Sequence, residues 1–142
     1  MRNITKIIFV FASCFLFAFA GCSSSNPQNR QAIEGEVTIN GNPVASGNIE
    51  FEPSGDQKER TQSGALITKG RYSIPAPKGL VGGDYKVRIS VMEEVPGSRV
   101  ENPDPMKSTV EYRNIAPPEF SDKTTQKITV EAGKKNKFDF KM

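Results

Sequence analysis

The chain has 142 residues, with 19 Lys and Arg against 16 Asp and Glu and no His. Without an imidazole, histidine general bases, the Ser-His-Asp and Cys-His nucleophile systems and the usual zinc ligands are excluded. The near balance of charge gives no footprint for nucleic acid.

Arg2 and Lys6 form a short cationic start, followed by an apolar run over residues 7–20 and by the small residues Ala20 and Gly21. That is the order of a secretory signal. Fourteen residues make a helix only about 21 Å long at ~1.5 Å per residue, short of the ~30 Å hydrocarbon core that a permanent span must cross. The junction Phe19-Ala20-Gly21-Cys22 resembles the bacterial lipobox, with Phe19 where Leu is common. The expectation is cleavage between Gly21 and Cys22 and attachment of a diacylglycerol thioether to the Cys22 thiol, since two or more acyl chains anchor stably. An ordinary signal peptide cut near the same place, with Cys22 a bystander, is the alternative.

Removing residues 1–21 also removes Cys14 and five of the nine Phe residues, leaving 121 residues with 17 basic and 16 acidic side chains. With Cys22 used for the lipid, no disulfide within one mature chain is expected. The remaining length suits one domain with one core. Residues 22–32 are polar and read as a flexible tether. Ser23 stands where an Asp tends to retain Gram-negative lipoproteins at the inner membrane, which favours the outer membrane where the host has one.

From Ile33 the apolar residues alternate at the period of a strand. Ile33, Gly35, Val37 and Ile39 share one face, and Asn40-Gly41-Asn42-Pro43 breaks the run as a turn. Ile49 and Phe51 mark a second strand, ended by Pro53, and a charged loop spans 54–60. Further strands are predicted over 65–68 and through Tyr72 and Ile74, joined by Lys69-Gly70. Another carries Tyr85, Val87, Ile89 and Val91 inward. Residues 93–120 carry five prolines and read as a long loop with one short strand at 108–112, either functional or simply a surface connection. Ile128 and Val130, the turn at 132–135, and then Phe138 and Phe140 read as a terminal hairpin. No helical stripe is evident, and seven or eight short strands with one apolar face each predict an all-β fold, most simply a single antiparallel Greek-key β-sandwich over 33–142.

Four stretches carry a family resemblance: Gly35-Glu36-Val37-Thr38-Ile39-Asn40-Gly41-Asn42-Pro43-Val44, Gly47-Asn48-Ile49-Glu50-Phe51-Glu52-Pro53, Gly70-Arg71-Tyr72-Ser73-Ile74 and Gly83-Asp84-Tyr85-Lys86-Val87-Arg88-Ile89. Together with residues 115–122 and the closing Ile128-Thr129-Val130 and Phe138-Asp139-Phe140, the chain resembles the carboxypeptidase regulatory-like domains in their stand-alone bacterial lipoprotein form, relatives of the transthyretin-like (prealbumin-like) sandwiches. The resemblance implies the fold and no catalytic activity. The zinc domain beside which such modules sit in metallocarboxypeptidases has no counterpart here. The hydroxyisourate hydrolases of the transthyretin group rely on His and a C-terminal Tyr-Arg-Gly-Ser, whereas Tyr112-Arg113-Asn114 is internal. Gly41 and Gly70 are expected at positive φ, and Tyr72 and Tyr85 are expected to fill a core edge with their hydroxyls reaching water.

Glu34, Glu36, Glu50 and Glu52 read as outward-facing acids able to pair with Lys86 and Arg88 on a neighbouring strand. Glu93, Glu94, Glu101 and Asp104 are hard oxygen donors that a calcium ion could gather, although the loop lacks an Asp-x-Asp-x-Asp-Gly pattern, and no metal or cofactor is expected. Lys134, Lys135 and Lys137 either protect an edge strand or meet an anionic envelope polymer or headgroup. The expected function is a non-enzymatic, lipid-anchored binding or structural module. Its expected partners are the membrane, through Cys22, and an envelope protein or glycan. A carbohydrate-binding module is the alternative, against which stand the missing Trp and the three Tyr. Treating producing cells with globomycin should accumulate a slower-migrating, lipid-modified precursor. An unchanged mobility pattern would sink the lipoprotein reading.

Overall fold

The structure is a computed structural model and describes Asn26 and residues 28–142. The chain is all-β, with strands β1 (Ile33–Ile39), β2 (Asn42–Pro43), β3 (Ser46–Pro53), β4 (Ser63–Thr68), β5 (Arg71–Ile74), β6 (Gly83–Ser90), β7 (Met92–Glu94), β8 (Tyr112–Asn114), β9 (Lys127–Val130), β10 (Asn136–Lys137) and β11 (Phe140–Lys141). Two-residue turns join β1 to β2 and β4 to β5. Both central residues of each have positive φ, 51° and 79° at Asn40-Gly41 and 50° and 76° at Lys69-Gly70. Such turns match the twist of the strands they connect, and glycine takes the second position without a Cβ clash. The expected positive φ at Gly41 and Gly70 is met.

The main sheet runs β10-β1-β5-β4-β3-β6-β9, with β11 and β2 also paired to β1. The alternation read from the sequence sets its inner face. Ile33 and Val37 of β1, Ile49 and Phe51 of β3, Ile67 of β4, Ile74 of β5, and Tyr85, Val87 and Ile89 of β6 are all buried in one cluster. Each fully buried side chain of this size contributes on the order of 1.5 to 3 kcal/mol relative to exposure. The rings of Phe51 and Tyr72 lie 6.0 Å apart, and Phe120 meets Phe140 edge-on at 6.2 Å, so inward residues from separate parts of the sheet pack on one another. The sheet is therefore curled around its core.

The connection from β9 to β10 shows how the curl is completed. These strands occupy opposite ends of the strand order, yet only residues 131–135 separate them. Five residues span at most about 18 Å, so the two edges must lie close together. The terminal hairpin expected from the sequence is thus replaced by a crossing. β9 pairs antiparallel with β6, and the last strand pairs with β1. The last strand is also parallel to β1, where an antiparallel sheet was expected throughout. Val130 and Phe140 explain the outcome, because both reach the same core from opposite edges. The buried Asn136 holds the crossing: its amide donates to Glu131 O and Lys134 O, each at 3.0 Å, and accepts from Glu131 N–H at 2.9 Å.

The seam between β1 and the last strand is irregular at its middle. Phe138 N–H donates to Glu34 O at 2.9 Å, and Met142 N–H donates to Thr38 O at 2.9 Å. Between them Glu36 N–H donates to the Asp139 carboxylate at 2.8 Å instead of to a backbone carbonyl. Phe138 O is turned toward the core side, where the Tyr72 hydroxyl donates to it at 2.8 Å. A Cβ at residue 35 would stand 1.8 Å from Phe138 O and 2.9 Å from the Tyr72 hydroxyl, so only glycine fits. The expected water-facing tyrosine hydroxyls are corrected on the same evidence. Tyr72 bonds to Phe138, and Tyr85 donates to Val81 O at 3.0 Å with Thr61 Oγ1 at 3.1 Å, because a buried hydroxyl left unpaired costs free energy.

Gly35→Ala should destabilise the domain by about 2 kcal/mol or more, as overpacking in a rigid surround does. Tyr72→Phe should cost only about 1 kcal/mol, the net worth of one hydrogen bond. Urea denaturation of the two variants checks the order, and equal losses would contradict the close approach at residue 35.

Candidate functional site

The domain has two chemically different ends. At one end lie the N-terminal segment 28–32, the loops 54–62 and 75–82, and the crossing 131–135. Residues 22–32 were expected to form a flexible tether; of these, Asn26 and residues 28–32 are described, and Gln31 is paired to the domain. Asn26 accepts from Arg30 N–H and donates to Arg30 O, both at 2.8 Å. Gln31 is buried and forms a bridge with Leu80: its N–H donates to Leu80 O at 2.7 Å, and Leu80 N–H returns to Gln31 O at 3.2 Å. Its side-chain oxygen accepts from Gly133 N–H at 2.9 Å. A Cβ at residue 79 would come within 1.8 Å of Gln31 O, so Gly79 permits this contact. Thr61 ties the next two loops together, accepting from Val81 N–H at 3.2 Å while it contacts the Tyr85 hydroxyl.

At the other end are the turns at Asn40-Gly41 and Lys69-Gly70, the C-terminal Met142, and a projecting arm over residues 92–114. The arm is an ordered β-hairpin where the sequence indicated a loop, and its returning strand is Tyr112–Asn114 rather than 108–112. β7 and β8 pair at their base, and a bridge joins Val100 to Thr109 further out. Asn114 fixes the base, its side-chain oxygen accepting from Val91 N–H at 3.0 Å and from Ala116 N–H at 3.1 Å. Across the arm Arg113 reaches Glu93 at 3.0 Å and Arg99 reaches Glu94 at 2.6 Å. The hydrogen bond and charge of Glu94 hold the Arg99 guanidinium above its ordinary pKa. No residue from 92 to 114 is buried. Met106 is 92% exposed, and Val100, Tyr112 and Met92 are each more than half exposed. Beside the base, Ile39, Val44, Val91, Met92 and Ile115 line an apolar groove of about 460 Å³, rimmed by Asn40, Asn42 and Glu93.

The residues singled out by sequence fall into this frame unequally. Gly21 and Cys22 lie outside the described residues. Lys134, Lys135 and Lys137 are exposed around the crossing, and each sits beside a carboxylate: Lys134 with Glu131, Lys135 with Glu34 at 3.4 Å, and Lys137 with Asp139 at 3.2 Å. The hydrogen bond and charge of Glu131 raise the pKa of Lys134. The outward acids do find partners on neighbouring strands. Arg88 bridges Glu50 at 3.6 Å and Glu52 at 2.9 Å, and Arg71 meets Glu36 at 3.5 Å. Glu93, Glu94 and Asp104 are each taken up by a basic neighbour, and among the described residues no group of three or more acids gathers to hold a metal ion. Among the described residues no helix is long and apolar enough to cross a membrane.

A groove of about 510 Å³ runs across β1, β5 and β4 over Gly35, with Glu34, Glu36, Arg71 and Lys137 along it and the exposed Leu66 at its side. Its charged groups are exposed and opposite in sign, an arrangement suited to solvated pairing. Asp139, at the seam below, has its carboxyl pKa held down by the Glu36 N–H and, secondarily, by Lys137 and Lys141. Burial and the Asp139 charge both raise the pKa of Tyr72, which keeps the phenol protonated and able to donate to Phe138. The roles of Asp139, Asn114 and Asn136 carry no pattern in the sequence that marks them. Gly35 and Gly79 carried a legible signal, since a glycine inside a strand pattern or beside a turn marks a close approach of backbone.

No protein-family model matches the chain, and no curated protein does. A solved structure that matches is a 9R-lipoxygenase from Cyanothece PCC8801, at 10% identity, with 81% of this chain and 16% of that chain covered and a TM-score of 0.33.

Asp139→Asn should lower stability at neutral pH by up to about 1 kcal/mol, the weaker amide acceptor replacing a half-exposed carboxylate. Because the folded-state pKa of Asp139 lies below its unfolded value, its stabilisation is complete above the unfolded value and lost as pH falls through the folded one. The difference between Asp139→Asn and the parent in denaturant midpoint should therefore shrink on acidification below about pH 4. A pH-independent difference would contradict the carboxylate's role.

Proposed function

We propose that the protein is a lipid-anchored envelope lipoprotein, exported and held through Cys22, whose one domain is a non-catalytic binding or structural module. The domain is read as a transthyretin-like Greek-key sandwich. In support, β4 and β5 pair at a single point, Thr68 with Arg71, which divides the strands into β4-β3-β6-β9 and β5-β1 with the last strand. The observation that carries the function is the polarity of the domain. Segment 28–32, which leads into β1, lies at the end opposite the arm, and Asn26, bonded to Arg30, is four residues from Cys22 in sequence. An anchor on that side leaves the arm and the apolar groove free for an envelope partner. Exposed Met and Tyr side chains on a scaffold otherwise paired in charge favour protein contact. A glycan site has less in its favour, because Tyr72 and Tyr85 are buried and Tyr112 is the one exposed tyrosine. Ser23 after the anchoring Cys22 favours the outer membrane.

A photo-crosslinking residue placed at Met106 of the full-length protein in its own cells should capture an envelope component, whereas one placed at Thr129 on β9 should not. Shortening the arm by removing residues 97–108 should abolish the capture and leave lipid attachment intact. Equal capture from both positions, or none from Met106 with an unaltered envelope in the shortened strain, would remove the binding role of the arm.

A further inference from the structure

The loops around the N-terminal segment are unequal to the arm in charge. Segments 28–32, 54–62, 75–82 and 131–135 carry Arg30, Lys58, Arg60, Lys78, Lys134 and Lys135 against Asp56, Glu59 and Glu131, a net of +3. The arm over 92–114 carries five acidic and three basic residues, a net of −2. These segments converge, since Gln28, Lys58, Val81 and Ala132 line one shallow depression. The eight residues of β6 separate the two groups by about 27 Å at ~3.3 Å per residue, several Debye lengths at physiological salt.

Chain length sets where an anchor can lie. Asn26 is fixed to Arg30, and Gln31 is fixed between Leu80 and Gly133. Four residues from Cys22 to Asn26 reach at most about 14 Å. A bilayer entered by an acyl chain on Cys22 therefore lies within a side chain or two of the basic loops. Each Lys or Arg held near an anionic leaflet is attracted to it, and the attraction fades within a Debye length. The ion pairs of Lys134 and Lys135 are no obstacle, because exposed pairs hold their partners only weakly in water.

We propose that the end bearing Arg30, Lys58, Lys78, Lys134 and Lys135 rests on the anionic headgroups of the membrane, orienting the acidic arm away from the bilayer. The inference rests on lipid attachment at Cys22 and adds to it a fixed orientation and a lipid preference. The same short reach and the same charge separation act together: the tether brings the basic end to the surface, and the anionic surface repels the arm.

The full-length lipidated protein, carrying a single fluorophore at either Ala132→Cys or Met106→Cys, is reconstituted into vesicles whose headgroups bear a quencher. In phosphatidylglycerol-containing vesicles the label at 132 should be quenched at least about twofold more than the label at 106, because only the basic end lies within a Debye length of the surface. The contrast should fall in phosphatidylcholine vesicles, in high salt, and in the Lys58→Gln, Lys134→Gln, Lys135→Gln variant. Equal quenching at the two positions, or the same contrast in neutral and anionic vesicles, overturns the proposal. A contrast that grows with protein density at constant lipid assigns the basic end to a second copy of the chain and overturns it too. Mass analysis of the N-terminal peptide separates the two failures: absence of acyl chains on Cys22 removes the lipoprotein reading and this inference with it, whereas acylated protein without contrast removes the orientation alone.

Discussion

The seam between β1 and the last strand completes the curl of the sheet at one of its edges, and it can form only because residue 35 has no side chain. Phe138 turns its carbonyl into the space above Gly35, where the Tyr72 hydroxyl meets it. That turn takes the residue out of the regular ladder and leaves Glu36 N–H without a backbone acceptor. The Asp139 carboxylate takes its place. Two hydrogen bonds thus compensate for the irregularity, one from Tyr72 of β5 and one to Asp139 beside β1. Were the seam regular, Tyr72 would lack an acceptor at the position its ring occupies against Phe51 and Phe140. The irregularity is a consequence of packing an aromatic ring beneath a strand pair while satisfying every polar group it displaces.

Closure by this route decides the arrangement of the ends. Because the last strand must run alongside β1 and not beside β9, the crossing at 131–135 passes over the same end at which the chain enters β1. It meets the N-terminal segment there, and Gly133 N–H bonds to Gln31. The entry to the domain, the crossing and two long loops therefore crowd together. The opposite end holds the tight turns, Met142, the arm and the start of the connection from the arm to β9. Separation of the chain's entry from its largest exposed apolar feature follows from strand order alone, before any question of partner arises.

The inner face of the sheet was legible in the sequence because its signal is local. Alternation in β1, β3 and β6 places nearly every predicted inward residue in the core, and the Asn-Gly and Lys-Gly turns announce the positive φ that tight hairpins need. Pairing between distant strands was less legible. Ile128 and Val130 followed by a short turn and Phe138 and Phe140 have the look of a hairpin, and nothing local distinguishes a turn that reverses onto its neighbour from one that crosses to another edge. The arm was hidden for a related reason. Its strands are three residues long with no buried residue on either face, so they lack the apolar alternation that marks a half-buried strand. Gln31 misled differently, since a polar residue in a polar run reads as solvent-exposed. Its burial depends on two backbone groups, at Leu80 and Gly133, that are remote in sequence.

The arm's lack of a core separates its order from that of the rest of the domain. That order comes from backbone bonds, the Asn114 anchor and exposed ion pairs, which hold only weakly in water. Segments with few buried contacts open locally at small free-energy cost while the rest of the domain stays folded. Met92 and Met106 add flexible, polarisable side chains to its exposed surface. The sheet beneath is held by a continuous buried cluster that includes no residue of the arm. Sequence change in the arm is consequently free of the constraint that fixes Gly35, Tyr72 and Asp139. A domain built this way can vary its arm while the seam at Gly35 and the crossing at 131–135 remain the same.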